Sequence, residues 1–254
     1  MIQNPIVKVL STMRARKVRC LLMGGQACVL YGGAEFSRDV DFALLASAEN
    51  FLRLKKALAD LQAIPIAVPP MRLQYLRRGH ALHFRCGDTV ASGLRIDVMS
   101  SMRGADAFPA LWRRRTTVEL PGGLAADLLS LPDLVRAKKT QRDKDWPMIR
   151  RLLEFDYLNH RRNPTAAQVR FWLLELRTPI LLRELAGRSP SIARRLATRR
   201  PLLRAAWEGA DETLVAALKA EEDGERRQDE AYWRPLRREL EAMRHAAARK
   251  AGRK

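Results

Sequence analysis

Apolar residues recur along this chain with two different periods, and the change from one to the other falls near residue 130. Upstream, short apolar runs bounded by glycine, proline or charge predict strands. "RKVRCLLM" (16–23) reads as a basic entry into a short buried strand, and "DVDFALL" as a second strand with period-two alternation at its start. "IPIAV" closed by two prolines, "HALHFRC", "LRIDVMS" and "TTVEL" are further strand candidates, with "GDTVASG" and "PGG" as turns. Between them, "QACVLYG" and "DAFPALWRRR" suit short helices. Ser47 is placed to N-cap a longer helix whose apolar face is Leu52, Leu54, Leu58 and Leu61, with Asn50 three residues after the cap.

Downstream the period becomes helical. "SLPDLVRAKKTQRDKDWPMIRRLLEFDYLNH" predicts a helical region with Ser130 as N-cap, Pro132 in the first turn, Asp133 at the third position, and a kink or interruption at Pro147. Val135, Lys138, Arg142, Asp145, Ile149 and Leu152 follow three-four spacing, so they should share one face that is apolar at its ends and charged in its middle. Beyond "RRNPT" the chain is rich in Leu, Ala, Arg and Glu, with no convincing strand. "EEDGERRQDE" reads as a solvated linker or helix break and "RHAAARKAGRK" as a frayed basic tail. The expected fold class is α+β: a mixed sheet with flanking helices over 1–120, a connecting helical segment over 121–160, and a basic all-helical region over 161–254.

Composition narrows the function classes. The chain has 254 residues, 47 % hydrophobic and 30 % charged, and no apolar run of the roughly 20 residues that a membrane span needs. The opening "MIQNPIVKVLSTMRARK" lacks an apolar stretch followed by a small-residue cleavage site, so a cytoplasmic protein is expected. Three cysteines at unpatterned spacings do not make a disulfide framework, and Cys20 and Cys28 read as small core residues. The formal net charge of +19 favours polyanionic partners such as RNA, DNA or nucleotides.

The chemistry concentrates between Leu21 and Leu45. In a strand, residues i and i+2 point to the same face, so Asp39 and Asp41 project together, about 6–7 Å apart, while Val40 and Phe42 point to a core. Paired carboxylates are costly to bury unless a cation lies between them, and Mg²⁺ is commonly held by one or two carboxylates plus substrate phosphates. The alternative is a pair of surface aspartates balanced by Arg38. Gly24 and Gly25, after one strand and before a short helix, permit close approach of a ligand to the backbone. Asp97, in "LRIDVMS", is another lone carboxylate in an apolar strand and completes the set of three that two-metal phosphoryl transfer uses. Lys138 and Arg142 are candidate phosphate ligands; the alternative is an ion-pair set with Asp145 on a solvated face.

"GG", a spacer, "DVDF" and a separate "IDV" resemble the nucleotidyltransferases of the DNA polymerase β superfamily. "GGQACVLYGGAEFSRDVDFAL" is similar to the minimal bacterial nucleotidyltransferases, and "DLVRAKKTQRDKD" resembles the Lys/Arg/Asp segment of abortive-infection type nucleotidyltransferase toxins. The resemblance covers residues 18–155. It implies transfer of a nucleoside monophosphate from an NTP to an acceptor. Asp39 and Asp41 would hold Mg²⁺, Asp97 would ligate a second metal or act as base, and Gly24 and Gly25 would cradle the triphosphate, with Ser37 beside them at the nucleotide. The chain departs from the family where relatives often carry Ser, here Gly25, and where several carry Arg, here Glu35.

Three other constellations compete less well. His80, His83 and Cys86 lack a second ligand pair for zinc. Trp112 beside Arg113–Arg115 suits either RNA or a packed helix end. "GRSPSIARRLATRRPLLR" (187–204) carries six arginines and no acid, a broad basic helical side suited to a phosphate backbone or simply solvated. The leading expectation is a Mg²⁺-dependent nucleotidyltransferase acting on an RNA or tRNA 3′ end, in a toxin or defence role with an antitoxin partner. An aminoglycoside or a protein hydroxyl is the other acceptor class. The competing expectation is a catalytically inactive fold of the same kind that binds nucleic acid or protein.

Overall fold

The structure, a computed structural model, describes residues 4–251. It comprises two compact units. One takes the chain up to Leu30, Glu35–Ala137 and the segment from Ala231 onward; the other takes Tyr31–Ala34 and Lys138–Glu230.

The first unit is α+β. Helix α1 (Asn4–Ala15) precedes β1 (Cys20–Met23), which passes directly into α2 (Gly24–Leu30). Then come β2 (Asp39–Leu44), α3 (Ala48–Asp60), β3 (Ile64–Pro65), α4 (Leu73–Arg77), β4 (Leu82–Arg85), β5 (Arg95–Met99), α5 (Phe108–Arg113), β6 (Thr116–Leu120), β7 (Leu124–Leu128) and α6 (Leu131–Ala137). The strands form one open mixed sheet in the order β3-β4-β5-β2-β1-β7-β6. Central β2 runs antiparallel to β1 and parallel to β5. Leu21, Leu22, Val40, Phe42, Ile96 and Val98 are all buried, the apolar content that makes these three segments strands.

The two predicted caps are present. Ser47 Oγ accepts from the Asn50 N–H at 3.2 Å. Ser130 Oγ accepts from the Asp133 N–H at 3.4 Å and donates to Asp133 Oδ2 at 2.6 Å, and the same carboxylate takes Arg114 Nε at 2.6 Å. Other expectations need correction. α1, in a segment for which no element was predicted, is helical because Ile6, Val9, Leu10 and Met13 fall on one buried face. The sheet does not end at residue 120, since "LAADL" forms β7. This Ala-rich segment has little strand preference of its own; pairing to β1 and β6 on either side overrides it. "IPIAV" supplies only two strand residues at the sheet edge, where its prolines cannot donate to a ladder.

The second unit is helical: α7 (Asp145–His160), α8 (Ala166–Glu175), α9 (Pro179–Arg188), α10 (Pro190–Leu196), α11 (Leu203–Glu208) and the part of α12 (Asp211–Ala251) up to Glu230. Trp172 and Tyr157 are fully buried, meeting edge-to-face with centroids 5.1 Å apart. The helical region after Ser130 is not continuous: α6 ends at Ala137 and α7 starts at Asp145, so Lys138 and Arg142 lie in the connection rather than on a shared helical face. Pro147 falls in the first turn of α7, where its missing N–H costs nothing, and does not kink it. "EEDGERRQDE" lies inside α12, and the expected frayed tail is helical through Ala251; its last three residues, 252–254, lie outside the described part. The run 187–204 is split among the end of α9, α10 and the start of α11. Its Arg200 is buried, donating to the Leu173 and Leu176 carbonyls at 2.9 Å each and to Glu221. Arg194, Arg195 and Arg199 stay exposed.

Candidate functional site

The strand register brings the three aspartates together within the α+β unit. Asp41 of β2 is the direct register partner of Asp97 on parallel β5, and of Met23 at the end of β1. Asp39 precedes Asp41 by two residues on the same face and pairs in register with Arg95. Asp39, Asp41 and Asp97 are half-buried, whereas Val40 and Phe42 are buried on the opposite face as expected.

The two glycines have a local reason. Gly24 adopts φ +66°, and a Cβ there would overlap the Asp41 carboxylate. A Cβ on Gly25 would overlap Ser37 Oγ. The Gly pair therefore makes room for two side chains from the β2 entry. Ser37 places a hydroxyl in the space that a larger residue at Gly25 would fill. Ser37 is itself held in place: its carbonyl accepts from Gln26 Nε2 at 2.7 Å, and its Oγ lies 3.3 Å from the Asp39 carbonyl. Glu35 and Arg38, flanking it, are exposed.

Asp97 is compensated in a way its sequence surroundings showed only in part. Arg95 Nε donates to Asp97 Oδ1 at 2.8 Å, and His83 Nδ1 of β4 lies 2.8 Å from the same oxygen. Both use Oδ1. Burial alone would raise the Asp97 pKa, but the bonds to His83 and Arg95 outweigh it and hold the group below the usual carboxylate value. Arg95 is raised in turn, first by its bond to Asp97 and also by the charges of Asp39 and Asp41. Arg95 was legible as a same-face i−2 neighbour of Asp97. His83 was not, because it arrives through β4–β5 pairing.

Among the described residues no three His, Cys, Asp or Glu side chains form a metal-binding group by themselves. The donor set nevertheless suits Mg²⁺, which prefers oxygen ligands and completes its shell with water and phosphate. Asp39 and Asp41 supply same-face carboxylates, and Asp97 Oδ2 takes part in neither bond to Oδ1.

The other predicted site residues lie in the helical unit. Lys138 Nζ bonds Asp145 Oδ1 at 2.9 Å, Arg142 Nε bonds Asp145 Oδ2 at 2.8 Å, and Thr140 Oγ1 donates to Oδ2 at 2.6 Å. Lys138 and Asp145 are buried. Burial acts to raise the Asp145 pKa, but the Lys138 charge, the Thr140 bond and the Arg142 charge outweigh it and hold the group below the usual carboxylate value. The ion-pair set is thus formed.

No helix among the described residues is long and apolar enough to cross a membrane. No family model matches the chain, and no curated protein does.

Proposed function

We propose that the chain is a Mg²⁺-dependent nucleotidyltransferase of the DNA polymerase β type, moving a nucleoside monophosphate from an NTP to an acceptor hydroxyl. The observation that carries this reading is the register of Asp39, Asp41 and Asp97 on one face of adjacent parallel strands, beside a Gly24–Gly25 turn shaped around Asp41 and Ser37. Asp39 and Asp41 would hold the metal. Bound Mg²⁺ supplies charge neutralisation at the phosphates and alignment for in-line attack. Asp97, kept ionised by Arg95 and His83, positions the acceptor hydroxyl or adds a second ligand. Ser37 Oγ offers the donor to phosphate that Gly25 lacks. The net charge of +19 supports a polyanionic acceptor, with an RNA 3′ end as the preferred one.

A specific observation favours a second reading, an inactive fold that binds nucleic acid. Lys138 and Arg142, the candidate phosphate ligands of the charged stripe, are engaged by Asp145, and Asp97 is engaged by Arg95. One experiment separates the two. The full chain is incubated with Mg²⁺, each α-labelled NTP and total RNA or protein, beside an Asp39→Asn/Asp41→Asn variant. Label transfer that disappears in the variant supports the enzyme. RNA binding equal in both, with no label on any acceptor, supports the binding module.

A further inference from the structure

A cavity of about 520 Å³ opens in the α+β unit, away from the carboxylates. Phe42 lines it, and Phe42 points to the face of β2 opposite Asp41. Cys20, at the far end of β1 from the Asp41 partner Met23, lines it too, which adds about 10 Å of separation along the strand. The floor is apolar, with Leu10, Met13 and Val18 buried there. The rim carries Arg14 from α1, Lys17 and Arg19 from the turn before β1, Arg53 from α3 and Arg115 before β6. Asp127 is the acid that faces them.

These five cations are unequally committed. Arg115 is paired with Asp127 at 2.9 Å, and Arg53 with Glu49 at 2.5 Å. Arg14 donates to the Ala125 carbonyl at 2.8 Å, which carries no formal charge to balance it. Arg19 lies 5.1 Å over Trp112, whose ring Arg115 also faces at 4.3 Å, so one indole orients two guanidiniums. Among the described residues neither Lys17 nor Arg19 forms an ion pair, Asp127 being taken up by Arg115, and Lys17 sits in a left-handed turn at φ 54°. Five like charges converging from four separate segments repel one another, and an anion in their midst removes that cost.

We propose that this cavity is a second anion site, distinct from the carboxylate face, that takes a compact phosphate-bearing small molecule. Its volume suits a di- or triphosphate or a nucleotide. Arg14, Lys17 and Arg19 bind the phosphates, and Trp112 fixes the arginine geometry.

The test is calorimetric titration of tripolyphosphate and of ATP into the full chain in EDTA, which removes metal-dependent binding at the aspartates. Lys17→Gln/Arg19→Gln is compared with Arg194→Gln/Arg195→Gln, which removes the same charge from an exposed stretch of α10. The expected result is one site per chain that weakens about tenfold or more in the first variant, the scale of losing a charge-assisted contact. The control and Asp39→Asn/Asp41→Asn should leave it unchanged. Similar affinity for both ligands assigns the site to phosphate alone; tighter ATP adds the apolar floor to the contact. Equal weakening in the control, loss in the aspartate variant, or no tripolyphosphate binding alongside RNA binding that depends on Lys17 and Arg19 overturns the proposal. Thermal melts check the fold, and Arg14→Gln/Arg53→Gln serves as a second pair should the first unfold.

Discussion

Two clusters of charged side chains in this molecule balance their charges differently. In the helical unit, Asp145 is buried and both its oxygens are used by Lys138, Arg142 and Thr140. In the α+β unit three carboxylates share one face, and Arg95 is a guanidinium on which all three act. The first cluster is closed: its acid has no capacity left for a ligand. The second gathers three half-buried carboxylates around Arg95, oxygen donors of the kind that Mg²⁺ accepts. The saturated buried network is a structural joint, whereas the partly exposed one is the candidate site.

The largest effect that could break this comparison is on activity. Asp39→Asn/Asp41→Asn should reduce nucleotide transfer by on the order of 1000-fold, the scale of several kcal/mol of lost charge stabilisation, with little change in melting temperature. A variant that transfers label at the parent rate removes the aspartates from the site. Asp145→Ala should show the reverse. It leaves Lys138 buried without its partner and should cost about 3 kcal/mol in urea unfolding. A stable Asp145→Ala protein with lost transfer would instead make that cluster functional.

Gly24→Ala tests the boundary between the two kinds of cluster. It meets both the positive φ and the Asp41 carboxylate, and should lose about 1–2 kcal/mol together with activity. Gly25→Ser should be damaging alone, through Ser37, and partly rescued by Ser37→Gly in a double-mutant cycle. Additive costs would show that the two side chains do not compete for one space.

The smallest effect is on pH. Asp97 and Asp145 both have native pKa values held below their ordinary one. The stability each contributes is therefore fully present above the unfolded value of about 3.9 and is lost as pH falls through the native value. Urea titrations between about pH 2 and 7 should show an acid limb that flattens in Asp145→Asn, and to a lesser degree in Asp97→Asn. An unchanged limb in both would place the acid sensitivity elsewhere, for example at Glu221 between Arg177 and Arg200.

Much of the site was legible because it is written in short-range pattern. Alternation alone places Asp39 and Asp41 on one face and Val40 and Phe42 on the other. Ser47 and Ser130 cap their helices through bonds three residues long, which a linear reading can see. The break at Ala137 was not legible, since the three-four spacing of Val135, Lys138 and Arg142 continues through a segment that the structure holds as a turn around Asp145. "EEDGERRQDE" failed in the opposite sense: Gly224 and dense charge suggest an interruption, yet both tolerate helix when neighbouring turns supply the packing.

Local sequence determined that β1, β2, β4, β5 and β6 are strands, where the helices from Ser47 and Ser130 begin, and that carboxylates project from β2 and β5. Only the tertiary structure decided what surrounds them. It made β7 from a weak strand former by pairing it on both sides, and set His83 against Asp97 through an antiparallel neighbour. It put Ser37 in the space left by Gly25, and gathered Arg14, Lys17, Arg19, Arg53 and Arg115 around one cavity. Periodicity is a property of residues three or four apart, while charge balance depends on which residues meet across a sheet. In this protein that meeting closes the network around Asp145 and gathers Asp39, Asp41 and Asp97 on one face of the sheet.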